Sequence, residues 1–222
     1  MASQSSQLFR LLDYPRGDEE RGRELYSRLT SLGLGELTFI SKGYRGVVFK
    51  AYLNGRPVAV KVKRPDTLKD VPLKEFKFLS HLYNIYGSGS PAPIPYAAEP
   101  DFIVMEWVEG RPFPEAFKEL KGEAVKEALK ACYKLDKAGV EHSEIKGEKH
   151  LIHTSSSVKV IDFESAKFKE RPRNLLQFVG YHLIGRGLYR ELGLSRAELL
   201  KLLEDYKKSP QDAFNRLLAL IG

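Results

Sequence analysis

Five short segments of the sequence contain residue types that could bind and transfer a phosphate group. The first, residues 41–48, places Gly43 and Gly46 three residues apart between two strand-like stretches. Because glycine has no side chain, backbone N–H groups in such a turn can approach phosphate oxygens closely. An ordinary hairpin explains the same spacing. The segment therefore indicates a phosphate-binding turn only in combination with the other four.

A lysine and a glutamate form the second and third segments. Lys61 ends the strand-like run Val58-Ala59-Val60-Lys61, where its ammonium can meet phosphate oxygens. Glu75 lies on the next predicted helix and can hold Lys61 in place. Alternating strand residues and a surface glutamate are the plainer interpretations. Taken together, the two residues predict an ion pair that presents a cation to a nucleotide.

Two carboxylates complete the set. Glu144 lies in the segment from His142 to Ile152, and Asp162 follows the strand-like run 158–161, 18 positions after Glu144. A glutamate can accept a hydrogen bond from an attacking hydroxyl. An isolated aspartate at the end of a strand can ligate Mg²⁺, which favours sparse carboxylate ligation completed by phosphates. The two residues predict a hydroxyl-activating group and a metal ligand.

The elements that position these residues follow from periodicity and turn signals. Helical spacing predicts helices at 6–34 (one or two, separated near Pro15 and Gly17), 73–86, 114–138 and from 172 to the end. Strands are predicted at 37–40, 47–53, 57–63, 102–108, 151–153 and 158–161. Asn54-Gly55 predicts a tight hairpin, so the first three strands should form an antiparallel meander. The sequence therefore predicts an α+β protein with a β-rich first half and a helical second half.

Composition narrows the class further. Hydrophobic residues make up 42% and charged residues 29%, which is typical of a globular protein. No apolar run approaches the roughly 18 residues of a membrane span, and residues 1–6 lack a basic segment followed by an apolar one, so we expect a cytoplasmic protein without membrane contact. Cys132 is the single cysteine and fits a buried helix position. His150 and His153 have no apparent third zinc ligand, which favours core or surface positions.

The net charge of +7 is concentrated in two blocks. Residues 42–77 contain ten Lys or Arg against three acids, and residues 165–222 contain eleven against six. Solvated mixed-charge surfaces explain such blocks, and so does an anionic partner such as a nucleotide or a nucleic acid backbone.

From about Leu37 to Asp162, the ordered segments resemble the protein-kinase superfamily. Only 60 residues follow Asp162, without an Ala-Pro-Glu segment, and this compactness is similar to the RIO and Bud32 group. The His-x-Glu, Lys-His and Ile-Asp-Phe-Glu combination most resembles small archaeal predicted serine/threonine kinases, a set that includes the archaeal RNA kinase, which phosphorylates a ribose 2′-hydroxyl in tRNA.

The resemblance implies a two-lobed α+β fold whose reduced helical C-lobe lacks an activation loop. Its expected parts are an N-terminal helical extension on the small lobe (1–36), the N-lobe (37–109) and the C-lobe (110–222). It also implies ATP and Mg²⁺ as cofactors. The residues expected to bind ATP are Ser41, Gly43, Gly46, Val48, Lys61, Glu75, Met105, Glu106 and Val108. Asp162 is expected to bind the metal ion. The residues expected to take part in catalysis are His142, Glu144, Lys146 and Lys149.

Four departures from the family pattern bear on mechanism. Ser41 replaces the first loop glycine, and Glu164 replaces the glycine after Phe163. Glu144 stands where the catalytic-loop aspartate is usual, and Lys149 stands where a metal-binding asparagine is usual. Lysine cannot ligate Mg²⁺, so we hypothesise that the ammonium of Lys149, or of Lys146, supplies part of the positive charge that a second metal ion would give.

Three functions remain open. The first is a kinase that modifies a ribose 2′-hydroxyl in the variable region of tRNA, and we expect such a protein to be a monomer. The second is a RIO- or Bud32-like serine/threonine protein kinase, and the third is a pseudokinase that binds nucleotide or RNA. The predicted RNA contacts are Tyr44, Arg45, Lys167, Lys169, Arg171, Arg173, Arg186 and Arg190, with Arg186 and Arg190 one turn apart on one helix. Solvated helix faces are the alternative interpretation of these cations.

Overall fold

The computed structural model describes residues 4–67 and 70–222, which divide into two compact units. The first unit comprises Met1–His81 and Pro93–Trp107, and the second comprises Leu82–Ala92 and Val108–Gly222. The prediction made for the first six residues falls partly on positions 1–3, which lie outside the described residues.

The first unit is a five-stranded antiparallel sheet with three helices. The helices are α1 (Gln4–Leu12), α2 (Glu19–Ser31) and α3 (Val71–Tyr86), the last of which continues into the second unit. The strands are β1 (Leu34–Lys42), β2 (Gly46–Leu53), β3 (Arg56–Lys63), β4 (Pro95–Glu99) and β5 (Phe102–Glu106). Their order in the sheet is β1-β2-β3-β5-β4. The predicted antiparallel meander of the first three strands is confirmed.

Turn chemistry and alternation explain the register of the central hairpin. Asn54 and Gly55 have φ angles of 50° and 77°, the left-handed conformation that a two-residue hairpin loop requires. Along β3, Val60 and Val62 are buried, whereas Lys61 between them is only partly buried. Since successive strand side chains point to opposite faces, Lys61 lies on the face away from the valines.

The two N-terminal helices share the core of the sheet. Leu12 of α1 and Leu25 and Leu29 of α2 belong to the same buried cluster as Phe49 of β2. Polar contacts add to this packing, because Arg28 of α2 forms ion pairs with residues in and after β4. The helices are therefore part of the packing of the first unit.

The second unit contains helices and short strands. A 3₁₀ turn covers Gly87–Gly89, and the helices are α4 (Phe113–Leu120), α5 (Gly122–Lys137), α6 (Asn174–Phe178), α7 (Leu188–Glu191), α8 (Arg196–Lys208) and α9 (Pro210–Leu220). The strands are β6 (Arg111–Pro112), β7 (Val140–Glu141), β8 (Leu151–His153), β9 (Val158–Val160) and β10 (Lys167–Phe168). β6, β8 and β9 form one sheet, and β7 pairs with β10. A π-helical segment, Val179–Gly185, continues α6.

The structure corrects several predicted elements. β4 was not predicted, because a strand that begins with proline and contains two alanines has weak β propensity and depends on pairing with β5. The single helix predicted at 114–138 is two helices, interrupted at Lys121, whose φ is 46°. Arg186 and Arg190 do not share a helix, since Gly187 between them has a φ of 76° and precedes α7.

The predicted burial of Cys132 is borne out by the structure. Cys132 is buried in α5, and burial raises the pKa of its thiol well above the ordinary value. Across residues 4–67 and 70–222, no helix is both long enough and apolar enough to cross a membrane.

Candidate active site

An ion pair joins β3 to α3 in the first unit. Lys61 Nζ lies 2.8 Å from Glu75 Oε2, and the glutamate side chain is only 1% exposed. The register of β3 places Lys61 opposite Val48 of β2. Separating a buried carboxylate from its counterion is strongly destabilising. The ion pair therefore holds both side chains in these positions. The structure thus brings together the lysine and glutamate that the sequence predicted to interact.

The glycine segment forms a tight turn between β1 and β2. Gly43 N–H donates to Gly46 O at 2.7 Å, and Tyr44, between them, is 90% exposed. A Cβ atom on Gly46 would lie 2.2 Å from the carbonyl oxygen of Val62. Gly46 therefore has a packing reason within the sheet, namely the close approach of β3. Gly43 is less crowded, because its nearest neighbour would be 3.5 Å from an added Cβ.

The remaining predicted nucleotide contacts lie on neighbouring parts of the chain. Ser41 pairs with Val48 in the β1–β2 register. Met105 is buried in β5, and Glu106 at the end of that strand exchanges two hydrogen bonds with Ile94. These are the backbone N–H of Glu106 to Ile94 O at 2.8 Å and the N–H of Ile94 to the Glu106 carboxylate at 3.0 Å. Val108 begins the next segment of the second unit.

In the second unit, His142 links the segment after β7 to the residue before Asp162. Its Nδ1 accepts from the backbone N–H of Glu144 at 3.3 Å, which leaves Nε2 protonated to donate to Ile161 O at 2.9 Å. The ring is fully buried, and burial lowers its pKa to about 4. His142 is therefore neutral near pH 7 and holds the backbone that presents both Glu144 and Asp162.

A second buried group fixes the start of this segment. Asn174, at the beginning of α6, accepts from the N–H of His142 at 2.9 Å and donates to Val140 O and to an Asp136 carboxylate oxygen, each at 2.7 Å. Asp136 also accepts from Tyr206 OH at 2.7 Å. Burial raises the pKa of Asp136 to about 6 in spite of these hydrogen bonds.

Glu144, His150 and Asp162 converge in the second unit. His150 Nε2 lies 3.8 Å from Glu144 Oε2 and 3.7 Å from Asp162 Oδ2. One potential ligand atom from each residue falls within 4.8 Å of the others. Ser165 Oγ donates to Glu144 Oε1 at 2.7 Å and orients that carboxylate. Two carboxylates and an imidazole form a donor set that fits a divalent cation.

The backbone at this cluster is unusual. Asp162 and Ser143 have φ angles of 70° and 74°, a conformation that residues other than glycine adopt rarely. Such conformations persist only where the surroundings impose them, and they occur often at functional sites. Here the hydrogen bonds of His142 and Asn174 hold the adjoining backbone.

Sequence reasoning missed His150, which was assigned to the core or the surface. It is the residue immediately after Lys149, and its ring is the member of the cluster that meets both carboxylates. Lys149 and Lys146 are exposed. The sequence contains no local pattern that identifies His150, because the position of its ring depends on the tertiary fold of the 144–150 loop. The only hint in the sequence was that Lys149 stands where a metal-binding asparagine is usual and cannot itself ligate a metal ion.

A basic groove runs across the second unit. It consists of two cavities of about 700 and 730 Å³ that share Arg173, Leu176 and Lys207. The cations on its walls are Lys137, Lys146, Arg171, Arg173, Lys207 and Lys208. The acidic residues on its walls are Asp136, Glu141, Glu170 and Glu204. Ser143 also lines the groove, so the groove reaches the residue next to Glu144.

The predicted RNA contacts are dispersed. Tyr44 and Arg45 are in the first unit, whereas the other six are in the second. Lys169 pairs with Glu141 at 2.6 Å, and Arg186 pairs with Glu148. Arg171 and Arg173 line the basic groove, and Lys167 is exposed. The guanidinium of Arg190 lies over the ring of Tyr189. Arg171 and Arg173 are thus the members of the set that share a concave surface.

Comparison with solved structures shows the fold. A crystal structure of the Rio2 kinase-ADP/Mg²⁺-phosphoaspartate complex from Chaetomium thermophilum matches with a TM-score of 0.59 and 17% identity, covering 90% of this chain and 74% of that one. A second Rio2 kinase structure from the same organism matches with a TM-score of 0.58 and 18% identity, covering 78% and 62% of the two chains. The chain has a protein-kinase-like fold of the RIO type.

Sequence comparison adds two relatives, and no family model matches the chain. "Uncharacterized protein MJ1211" of Methanocaldococcus jannaschii is 33% identical over 87 residues, which are 37% of this chain and 74% of the relative. The chain belongs to the same family as that protein. Mitogen-activated protein kinase kinase kinase dlk-1 of Caenorhabditis elegans is 28% identical over 157 residues, or 66% of this chain. The match spans only 16% of the length of dlk-1.

Proposed function

We propose that this protein is an ATP- and Mg²⁺-dependent phosphotransferase whose acceptor is an alcohol group of RNA, a ribose 2′-hydroxyl in the variable region of tRNA. The observation that carries the phosphotransferase proposal is the 2.8 Å ion pair between Lys61 and the buried Glu75. A lysine held on a strand by a helix glutamate is the arrangement that kinases use to bind ATP phosphates. The RIO-type fold supports the same proposal.

The residues of this chain take the following roles in the proposal. Lys61 binds phosphate oxygens, and Asp162 and Glu144 offer oxygen ligands to a divalent ion. When bound, such an ion neutralises charge on the transferring phosphate. Glu144 also accepts the hydrogen bond of the acceptor hydroxyl, and the hydrogen bond from Ser165 keeps its carboxylate oriented. His142 positions the backbone of both carboxylates.

The basic groove supports an RNA acceptor. Its walls carry six cations and four acidic residues, and Ser143 lines the cavity that contains Lys146, Arg173 and Lys207. Glu141 is paired with Lys169, and Glu204 is paired with Lys207 of the groove itself. Phosphodiester backbones bind to such cation-lined surfaces. A ribose hydroxyl is chemically close to a serine hydroxyl, so the same phosphoryl-transfer groups can serve either acceptor.

A serine/threonine protein kinase of the RIO type is the second candidate. It is supported by the Rio2 structures and by the similarity to the kinase dlk-1. A pseudokinase that binds nucleotide without transfer is the third, and the replacements at Glu144 and Lys149 support it.

One labelling experiment distinguishes the three. The protein is incubated with γ-³²P-ATP, Mg²⁺, bulk tRNA and a generic protein, and the labelled polymer is then digested with ribonuclease or protease. The proposed function predicts label that only ribonuclease releases, whereas release by protease alone supports the protein kinase. Asp162→Ala should abolish transfer, and Lys61→Met should remove nearly all of it. Nucleotide binding without transfer in the parent protein would support the pseudokinase and contradict the proposal.

A further inference from the structure

The His150 ring is held so that one nitrogen faces two carboxylates. Its Nδ1 lies 2.8 Å from the carbonyl oxygen of Glu144, which can only accept a hydrogen bond, so Nδ1 carries the proton. In the neutral ring, the Nε2 lone pair is therefore available. That atom is 3.7 Å from Asp162 Oδ2 and 3.8 Å from Glu144 Oε2. A backbone carbonyl that accepts the other ring N–H is a regular feature of metal-binding histidines, because it fixes the tautomer and the ring orientation.

A glycine makes room for this ring. A Cβ atom on Gly147 would lie 2.4 Å from His150 Nδ1 and 2.7 Å from its Cε1. Any other residue at 147 would therefore displace the ring from the Glu144 carbonyl and from the two carboxylates. The position of the imidazole thus depends on a second feature of the loop, independent of the ligands themselves.

The geometry points to His150 Nε2 as a nitrogen ligand, together with Glu144 and Asp162, of a divalent first-row transition ion such as Mn²⁺. We infer this site from the structure. Only the role of the bound ion in phosphoryl transfer rests on the proposed function. Metal–ligand bonds of about 2.1 Å place neighbouring ligand atoms roughly 3 Å apart and opposite ones roughly 4.2 Å apart. The observed separations of 3.7 and 3.8 Å lie between these values, so small side-chain rotations suffice.

A nitrogen donor changes which metal ion the site binds most tightly. Mg²⁺ takes oxygen ligands almost exclusively, whereas imidazole binds transition ions well, and Mn²⁺ accepts both donor types. His150 thereby supplies, from the next position along the chain, a ligand that Lys149 cannot provide. The site should bind Mn²⁺ more tightly than Mg²⁺ in the absence of any nucleotide.

The test measures Mn²⁺ binding to the tag-free full chain without ATP, by electron paramagnetic resonance of the free ion and by spin-echo detection of ¹⁴N coupled to the bound ion. The parent protein should bind Mn²⁺ and show imidazole ¹⁴N coupling. His150→Asn should lose that coupling and weaken Mn²⁺ binding at least 10-fold, in line with effects of altering metal-site residues. His153→Asn, the matched control on β8, should retain both.

Gly147→Ala gives a further test, because it keeps all three ligands and crowds the His150 ring and the Glu144 carbonyl oxygen that holds it. It should also lose the ¹⁴N coupling. Thermal unfolding of each variant without metal establishes that it is folded, and the ¹⁴N measurement on the parent protein needs no variant at all. The inference is overturned if the parent protein binds no Mn²⁺, if its bound Mn²⁺ shows only oxygen ligands, or if the coupling persists in His150→Asn. Failure of phosphotransfer with ¹⁴N-coupled Mn²⁺ intact would instead overturn the proposed function alone.

Discussion

At the scale of single residues, the Lys61–Glu75 pair is both a structural element and the proposed phosphate-binding group. Glu75 is almost fully buried, whereas the Lys61 side chain retains 18% exposure. The lysine can therefore reach a ligand while its carboxylate partner cannot turn to solvent. Removing either partner takes an opposite charge away from beside the other.

This pairing predicts strong energetic coupling. Lys61→Met and Glu75→Gln should each lower the free energy of unfolding by about 2 kcal/mol, and the double variant should lose much less than the sum. Urea denaturation of the four proteins gives the coupling energy. Lys74→Met, at an exposed neighbouring position of α3, should change stability little. Additive losses in the double variant would show that the two groups do not depend on each other.

Lys149 tests the proposal that an ammonium replaces a second metal ion. If its positive charge stabilises the transferring phosphate, Lys149→Asn should lower kcat about 10-fold or more, since electrostatic groups of this kind contribute at least that much. Steady-state kinetics with ATP and tRNA measure the effect. A variant that turns over faster than the parent protein would contradict the proposal.

Asp136 predicts a pH dependence of stability. Its pKa in the folded protein, about 6, is above the ordinary value of 3.8, so the folded state holds the proton more tightly than the unfolded state. This stabilising contribution is complete below about pH 4 and is lost as the pH rises to about 6. Relative to Asp136→Asn, the parent protein should lose about 2 kcal/mol of unfolding free energy between pH 4 and pH 7.

Urea unfolding of both proteins at several pH values checks this prediction. Asp212→Asn, which alters a carboxylate that is 72% exposed, should run parallel to the parent protein over the same range. If the unfolding free energy of Asp136→Asn also changes with pH in parallel with that of the parent protein, the Asp136 carboxyl group titrates alike in the folded and unfolded states, and the prediction is wrong.

At the scale of elements, close backbone approach decides how the N-terminal helices pack. A Cβ atom on Gly22 of α2 would lie only 2.0 Å from the carbonyl oxygen of Phe9 in α1. The α1–α2 contact therefore requires glycine. Asp18 caps the same helix by accepting from the N–H groups of Glu20 and Arg21, which is the usual role of an aspartate at that position.

Gly22→Ala should accordingly destabilise the protein by about 2 kcal/mol or more, because α1 must move away from α2. The direction of this stability change is informative, because alanine in place of glycine within a helix otherwise stabilises a protein by about 1 kcal/mol. Thermal or urea unfolding measures the difference. Gly180→Ala is the matched control, because no atom outside its own helical backbone and chain neighbours lies within 4 Å of its added Cβ. Equal stability of the two variants would contradict the packing argument.

Elements also show where sequence reasoning failed. The Asn54-Gly55 hairpin and the alternating residues of β3 were predictable because their conformations follow from local turn chemistry and periodicity. β4 was not, because its residues have weak β propensity although its partner β5 is adjacent in the chain. The two-residue strands β6, β7 and β10 were not, because each forms through pairing with a distant segment. The break at Lys121 is followed directly by Gly122, a glycine signal that the prediction of a single helix did not use.

At the scale of the whole molecule, the distribution of basic residues is the reason for proposing a polyanionic partner. The chain carries a net charge of +7, and the basic groove gathers six of its cations in the second unit. The expected division into an N-terminal extension (1–36), an N-lobe (37–109) and a C-lobe (110–222) remains a proposal beside the two observed units.

If RNA follows the basic groove, groove lysines should set its salt dependence. The double variant Lys207→Ala/Lys208→Ala should bind tRNA about 10-fold more weakly at 0.1 M salt, and the slope of log affinity against log salt should fall by about 1 to 2. Filter binding between roughly 0.05 and 0.2 M salt measures both quantities. Lys201→Ala is the matched control, since Lys201 is exposed on α8 and does not line either cavity. An equal effect of both changes would indicate binding that is not confined to the groove.

The sequence by itself determined the order of the chemical groups and most of the longer elements. Glycine turn, Lys61, Glu75, Glu144 and Asp162 could be identified because their spacing follows a familiar order and their elements have clear periodicity. Only the tertiary structure decided that His150, and not Lys149, meets the two carboxylates, and that Gly46 and Gly147 have steric reasons to be glycine. The physical reason is that these contacts depend on loop conformation and on the approach of separate segments, which no local pattern records.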